Sequence, residues 1–396
     1  MKYMGSKRAM LRNGLGELLI RKAKSKRRFV DLFCGSGVVA VYVASNAKIR
    51  VTAWDLQRYS AVLANAIITR NSAFNWEQSW KFWYPRARLR LCSRSIPQPQ
   101  KVTRAVVADA REWCRRRMRF PFTRAYGGHY FSPYQAVWLD VLRQTVPSAQ
   151  PARTIAIAAL IRAGSRCAAA PGHTAQPFQP TKTAKKHLLD AWNRDIVAQT
   201  KTAFQEIAEQ CARSSGQAMV GDANEAAKNL RKGDLAFVDP PYSGVHYSRF
   251  YHVLESIARG RCGEVSGTGR YPAVKSRPWS RYSVSSEAKD ALGELFKTVS
   301  ARGVRTIVTF PVHRCSNGLS GRIVRNLAKK YFRIEEQKVR STFSSLGGVG
   351  ENGDGAANRK ARLGRKELIL VLSPRRRLRR RKSQKHSAKH HLSARR

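Results

Sequence analysis

Acid is scarce in this chain. Its 396 residues include 25 Asp and Glu against 75 Lys and Arg, a formal net charge of +50. A polypeptide so unbalanced repels itself unless a polyanion lies close, which points to nucleic acid as partner ahead of an anionic membrane surface. Cysteine is sparse too: Cys34, Cys92, Cys114, Cys167, Cys211, Cys262 and Cys315 are odd in number and never spaced C-x-x-C. That argues against a disulfide framework and a cysteine zinc site. His129, His173, His246 and His252 lack metal-ligand spacing, so no metal is expected. Long hydrophobic runs are missing: the longest, Thr154 to Ile161, falls far short of the ~20 residues of a membrane span. The opening MKYMGSKRAM has charges but no apolar stretch behind them, so no secretory signal is expected. These absences predict an intracellular, soluble protein from a cell or a phage.

With 42% hydrophobic residues the chain can bury a sizeable core in one large or two ordinary domains. Arg28 to Phe33 reads as a strand that empties into Cys34-Gly35-Ser36-Gly37 and then a helix, Val38 to Ala47. A second strand, Ile49 to Trp54, ends on Asp55, and Arg58 to Arg70 reads as a returning helix. Alternating elements of this kind open a doubly wound α/β sheet. From residue 71 to 217 the pattern turns helical. Tyr134, Val137, Trp138, Val141 and Leu142 form a helical stripe, and Lys186 to Arg213 reads as one long amphipathic helix across a Pro/Gly/Thr-rich loop, Pro171 to Thr183. The α/β pattern resumes with strands at Leu235 to Val238 and Val304 to Phe310 and helices at Arg249 to Ala258 and Leu319 to Lys330. Tyr331 to Arg340 and Lys366 to Leu372 suit an antiparallel pair around the glycine-rich loop 347–355. Residues 373–396 hold 11 Lys/Arg and no acid, the composition of a disordered, phosphate-binding basic tail. The division expected is 1–70 and 218–372 as the two parts of one α/β domain, 71–217 as a mainly helical insertion, and 373–396 as the tail.

A strand ending in a glycine turn and a helix N-terminus lets backbone approach a ligand closely and favours negative charge there. Val39-Ala40 stand where a third glycine would complete G-x-G-x-x-G, so a nicotinamide dinucleotide is not the natural ligand. Asp55, at the end of the next strand, is where a ribose diol is commonly held. The sharpest motif is Asp239-Pro240-Pro241-Tyr242, directly after a hydrophobic strand. Exocyclic amines of nucleobases are weak nucleophiles because their lone pair is conjugated into the ring. A carboxylate and a proline carbonyl held at a strand end can accept the two amine hydrogens and favour a pyramidal nitrogen, while Tyr242 offers a face for an unstacked base. Cys34 reads as a packing residue, and no Pro-Cys dipeptide supplies the usual nucleophile of cytosine-C5 methylation.

The motifs Tyr3-Met4-Gly5-Ser6-Lys7, Phe29-Val30-Asp31-Leu32-Phe33-Cys34-Gly35-Ser36-Gly37, Asp55, Gly221-Asp222-Ala223 and Asp239-Pro240-Pro241-Tyr242, in that order, resemble those of the class alpha, Dam-like DNA adenine-N6 methyltransferases. The resemblance extends weakly to Arg340-Ser341-Thr342-Phe343 and Lys366-Glu367-Leu368-Ile369-Leu370. It implies a Rossmann-like sheet that binds S-adenosylmethionine (AdoMet), a target-recognition segment between the cofactor and Asp-Pro-Pro-Tyr motifs, and direct methyl transfer to a flipped adenine in double-stranded DNA. Carried over, Tyr3, Gly5 and Lys7 meet the methionine end of AdoMet, and Asp31, Phe33, Gly35 and Gly37 form the cofactor loop. Asp55 holds the ribose hydroxyls and Asp222 the adenine amino group, while Asp239, Pro240, Pro241 and Tyr242 hold the target base. Asp31 departs from the Glu of many relatives, and the recognition segment resembles Dam little, so no target sequence follows. A companion restriction endonuclease is compatible with this reading. Chemistry alone admits cytosine-N4 as well as adenine-N6. Two alternatives remain: an RNA methyltransferase of the rRNA guanine-N2 type, and a non-catalytic nucleic-acid-binding protein on the same fold. The aromatics Trp76, Trp80, Phe82, Trp83 and Tyr84, with Lys81 and Arg86, suit helical core or base stacking, and His246 to Tyr251 suits the base pocket or ordinary helix packing.

Overall fold

Side chains alternate along the Leu235 to Val238 run in a way that requires apolar contact on both faces. Leu235 and Phe237 join one core cluster, and Ala236 and Val238 join another. The computed structural model describes residues 7–91, 95–344 and 362–375. Its strands are β1 (Arg28–Asp31), β2 (Arg50–Asp55), β3 (Gln217–Val220), β4 (Asp234–Val238), β5 (Val265–Ser266), β6 (Tyr271–Pro272), β7 (Arg305–Pro311), β8 (Phe332–Ser344) and β9 (Arg362–Pro374). Seven of them form one sheet in the order β3-β2-β1-β4-β7-β9-β8, and β5 and β6 make a separate hairpin. The first five of that order run parallel, while β9 is antiparallel to both β7 and β8. A mostly parallel sheet covered on both faces by helices is the α/β architecture expected from the sequence.

The helices Gly16–Ala23 and Val38–Asn46 cover one face, and Ala223–Ala227, Ala288–Ala301 and Gly321–Lys329 the other. The helix Arg58–Ile68 is apolar nearly all round because it is buried on two sides. Ala61, Ala64 and Ile68 share the sheet's cluster, whereas Tyr59, Leu63, Ala66 and Ile67 join a second cluster of helices. That second cluster contains most of the buried apolar residues described between 71 and 217, and a smaller one gathers Val107, Ala110, Leu188 and Trp192. The Thr154 to Ile161 run is the buried middle of the helix Ala152–Cys167, and Tyr134 to Leu142 lies in the helix Pro133–Gln144, which Ser132 and Gln135 close with a reciprocal cap. Trp80 and Trp83 are buried in the helix Trp76–Leu89, and the Trp83 indole donates to the Leu142 carbonyl at 3.1 Å, so these two aromatics are core. Val253, Leu254 and Ile257, from the helix His252–Arg259, sit in the same cluster, so the helical segment shares its core with the rest of the chain.

Several sequence expectations need correction. Lys186 to Arg213 is two helices, Lys185–Trp192 and Ile196–Ala208, because the Asp195 carboxylate caps the second by accepting from Val197 and Ala198 N–H. Arg249 to Ala258 is likewise divided into Tyr247–Phe250 and His252–Arg259, with Tyr251 leaving helical geometry between them. β3 and the helices Gly16–Ala23 and Ala288–Ala301 were not expected; β3 is a four-residue edge strand whose pattern is too short and too exposed to read. β9 runs through Pro374, so the first residues assigned to the tail belong to the sheet. The remainder of the tail and the loop 347–355 lie outside the described residues.

Candidate active site

The strand order reverses at β1, whose neighbours β2 and β4 lead the sheet in opposite directions, and such switch points open a crevice beyond the carboxyl ends of the strands. A cleft of about 960 Å³ lies there. Gly35 and Gly37 turn the chain out of β1 with φ of +53° and +76°, which a side chain would strain, and Gly37 starts the helix Val38–Asn46. The turn is tied to the end of β2: Gly35 N–H donates to Asp55 Oδ2 at 2.7 Å, and Gln57 N–H donates to Asp55 Oδ1 at 2.9 Å. Burial pushes the Asp55 carboxyl up to about 6 despite those two donors. Asp31, fully buried at the end of β1, is more strongly affected, its carboxyl pushed up to about 8 by desolvation. Its Oδ1 accepts from Phe33 N–H at 3.2 Å, and its Oδ2 has no hydrogen-bond partner among the described residues. Phe33 meets the edge of Tyr282 at 5.0 Å, and the Tyr282 hydroxyl donates to Asn224 Oδ1. Asp222 caps the helix Ala223–Ala227 through Asn224 and Glu225 N–H at the same end of the cleft.

The opposite wall is the turn after β4. Asp239 Oδ1 receives two groups, the Lys7 ammonium at 2.9 Å and the Thr309 hydroxyl at 2.8 Å. A carboxylate so held has its second oxygen left for another donor. Lys7 also pairs with Glu367 Oε2 at 3.3 Å. Burial on its own would lower the Lys7 pKa, but Asp239 and Glu367 overcome it and hold the ammonium charged. Asn317 Nδ2 donates to the carbonyls of Pro241 (2.8 Å) and Tyr282 (2.9 Å), and Ser316 Oγ accepts from Gly244 N–H, so the loop 313–319 clamps the Pro-Pro turn from behind. Among the described residues nothing donates to the Pro240 carbonyl. The Tyr242 ring meets Tyr247 edge-on at 6.4 Å with Lys7 Nζ 5.9 Å from its centroid, and burial pushes the Tyr242 phenol up. Cys34 is buried and its thiol is likewise pushed up, which suits the packing role expected of it.

Residues 3–83 and 152–309, well over half of the chain, match the pattern of the D12 class N6 adenine-specific DNA methyltransferases. The chain belongs to that family. The modification methylase StsI of Streptococcus sanguinis is 23% identical over 313 residues, which are 76% of this chain and 42% of the relative. The modification methylase LlaI of Lactococcus lactis subsp. lactis is 45% identical over 69 residues, 17% of this chain and 11% of the relative. The type II methyltransferase M.FokI of Planomicrobium okeanokoites is 36% identical over 84 residues, 21% of this chain and 12% of the relative. The chain thus covers at most 42% of the length of these curated relatives.

Of the site residues expected from the sequence, Lys7, Asp31, Phe33, Gly35, Asp55, Asp222, Asp239, Pro240, Pro241 and Tyr242 line this one cleft, and Gly37 forms the turn behind it. Tyr3 and Gly5 lie outside the described residues. The Lys7 ammonium lies on Asp239 and Glu367, in the same cleft as Asp31. His246, Tyr247 and Ser248 line the cleft while Phe250 and Tyr251 are core, so both readings of that stretch apply to different residues. Thr309, Asn317 and Tyr282 make contacts at the site that the sequence did not single out, and Glu367 stood there only within a weakly resembling motif, without a role. Thr309 and Glu367 reach the site through strand register: Val238 pairs with Val308, and Pro311 pairs with Glu367. No local sequence signal marks such a meeting. Among the described residues no group of His, Cys, Asp or Glu is arranged to hold a metal, and no helix is long and apolar enough to cross a membrane.

Proposed function

We propose that this chain transfers a methyl group from AdoMet to the N6 amine of adenine at a recurring site in double-stranded DNA, as the modification arm of a restriction-modification system. The observation that carries the reading is the state of Asp239, one oxygen committed to Lys7 and Thr309 and the other left for a donor, beside the Pro240 carbonyl and the Tyr242 ring. AdoMet suits the other half of the cleft. The buried, unpartnered Asp31 Oδ2 fits a ligand ammonium, the Asp55 end of β2 fits vicinal hydroxyls, and the Phe33 and Tyr282 rings fit a purine. When bound, AdoMet supplies an electrophilic methyl group on a sulfonium.

The protein's part is to present the amine. Asp239 Oδ2 and the Pro240 carbonyl accept its two hydrogens and draw the lone pair out of conjugation, and Tyr242 receives the face of the flipped base. Flipping costs a few kcal/mol, offset by that stacking and those hydrogen bonds. Asn317 and Thr309 hold the acceptors rigid, so little reorganisation is needed as charge develops. The D12 family match favours adenine over the guanine of RNA methylation. We further read residues 71–217 as containing the target-recognition element and place it in 84–151, the stretch the family pattern skips. The helices Ala152–Cys167 and Ile196–Ala208 fall within the matched residues or against the helix Arg58–Ile68 and serve the core. Modification-sensitive sequencing of a methylation-free host expressing the protein, with Asp239→Ala beside it, tests the reading. N6-methyladenine at one recurring motif, absent from the variant, is expected; no DNA mark from a folded protein that binds AdoMet would refute it.

A further inference from the structure

Two carboxylates share one buried ammonium beside the base-binding turn. Lys7, Asp239 and Glu367 have side chains 3%, 17% and 1% exposed, and Lys7 Nζ stands 2.9 Å from Asp239 and 3.3 Å from Glu367. Lys7 with Asp239 alone would make a neutral, closed pair. A carboxylate neutralised at such range is a poor acceptor for the weakly polar hydrogens of an aromatic amine and offers little to a positive charge growing nearby. Glu367 gives the Lys7 ammonium a second carboxylate, so its charge is shared and not spent on Asp239 alone, within a site that water screens weakly. It does so from β9, where its backbone is fixed opposite Pro311, so its carboxylate reaches Lys7 from a strand that the base-binding turn does not include.

We propose that Glu367 is a positioning residue for methyl transfer: by sharing the charge of Lys7, it leaves Asp239 more of its negative charge for the amine of the target base. This rests on the methyltransferase reading above. As the bond between the base nitrogen and the methyl carbon forms, sulfur keeps the electron pair of the bond that breaks. Positive charge passes from sulfur to nitrogen, and the nitrogen then sheds a proton to solvent. The negative charge that Asp239 keeps favours that transfer, whereas before it the amine is neutral. Glu367 therefore acts on the rate of the chemical step and little on the affinity for either substrate.

The test is the single-turnover methylation rate of Glu367→Gln on a duplex carrying the site found by sequencing, at saturating AdoMet and DNA. Dissociation constants for both are measured separately. The expected result is a rate lower by on the order of tenfold to a hundredfold, below the roughly hundredfold to thousandfold lost with a direct transition-state contact because Glu367 acts through Lys7, and dissociation constants within about threefold of wild type. Adding Lys7→Met, which removes the ammonium that is no longer balanced, is expected to recover part of the rate. A Glu367→Gln protein with the wild-type rate would overturn the proposal, as would a deficit that lies wholly in binding or a double variant no faster than the single one. Should Glu367→Gln not fold, the double variant is compared with wild type directly, and a loss there exceeding about a thousandfold overturns the proposal. A wild-type protein that leaves no mark on DNA refutes the methyltransferase reading itself and is seen before any variant is made.

Discussion

Asp31 is the side chain whose environment asks most plainly for a ligand. Its carboxyl rises from 3.8 to about 8 on burial, so the folded chain binds a proton there that the unfolded chain has lost. The sign follows from linkage: between those values the folded state holds more protons, and this group's contribution to stability declines as pH climbs towards 8. An ammonium placed against Oδ2 reverses the preference. Binding of AdoMet at pH 6.5 is therefore expected to release a proton, read by calorimetry in buffers of different ionisation enthalpy. Asp31→Asn should abolish the release and weaken binding by on the order of tenfold to a hundredfold, the worth of a charge-assisted contact. Unchanged proton release in that variant would place the titrating group elsewhere. Asn317 is the corresponding test for the base side. Its amide satisfies one buried and one partly buried carbonyl at once, so Asn317→Ala should cost about 1–3 kcal/mol in denaturant unfolding and lower turnover while sparing AdoMet affinity. Equal stability and turnover would show that the Pro-Pro turn holds its shape without the clamp.

The helix Arg58–Ile68 is the element on which the two halves of the molecule meet. Its N-terminus follows Gln57 at the rim of the cleft, and its orphan N–H groups at Arg58 and Tyr59 are capped by the Glu255 carboxylate from the helix His252–Arg259, at 3.2 and 3.0 Å. The same carboxylate pairs with Arg259 at 2.6 Å. Glu255→Ala is expected to destabilise the fold by about 1–2 kcal/mol, the usual worth of a lost helix cap, and to weaken AdoMet more than DNA because the rim beside Asp55 loosens. Thermal unfolding and the two dissociation constants check it, and an equal loss on both ligands would contradict the local effect. Elements with a strong period or a glycine stop were legible in the sequence: the strand and glycine turn at Arg28 to Gly37, the helix through Tyr134 to Leu142, and the antiparallel pair at the end of the chain. The breaks at Asp195 and Tyr251 were not, because one helix cap and one non-helical residue interrupt apolar spacing that otherwise runs on.

For the whole molecule the governing quantity is charge. At +50, the protein is expected to bind any duplex with a steep, linear fall of log affinity against log salt, since each neutralised phosphate releases counterion. Removing residues 376–396, which leaves β9 intact through Pro374, should weaken binding at all sequences alike and flatten that slope. A loss confined to the methylated motif would instead assign the tail to sequence reading. What could be read from residue order is what depends on near neighbours. The glycines after a strand, the Asp at the end of the next, and Asp239-Pro240-Pro241-Tyr242 announce a cleft and its chemistry because each is a local backbone requirement. The meeting of Lys7, Asp239, Thr309 and Glu367 was decided by strand register and burial, which bring together residues from four distant parts of the chain. Charge pairing of that kind depends on distance and dielectric, and both exist only once the sheet has formed.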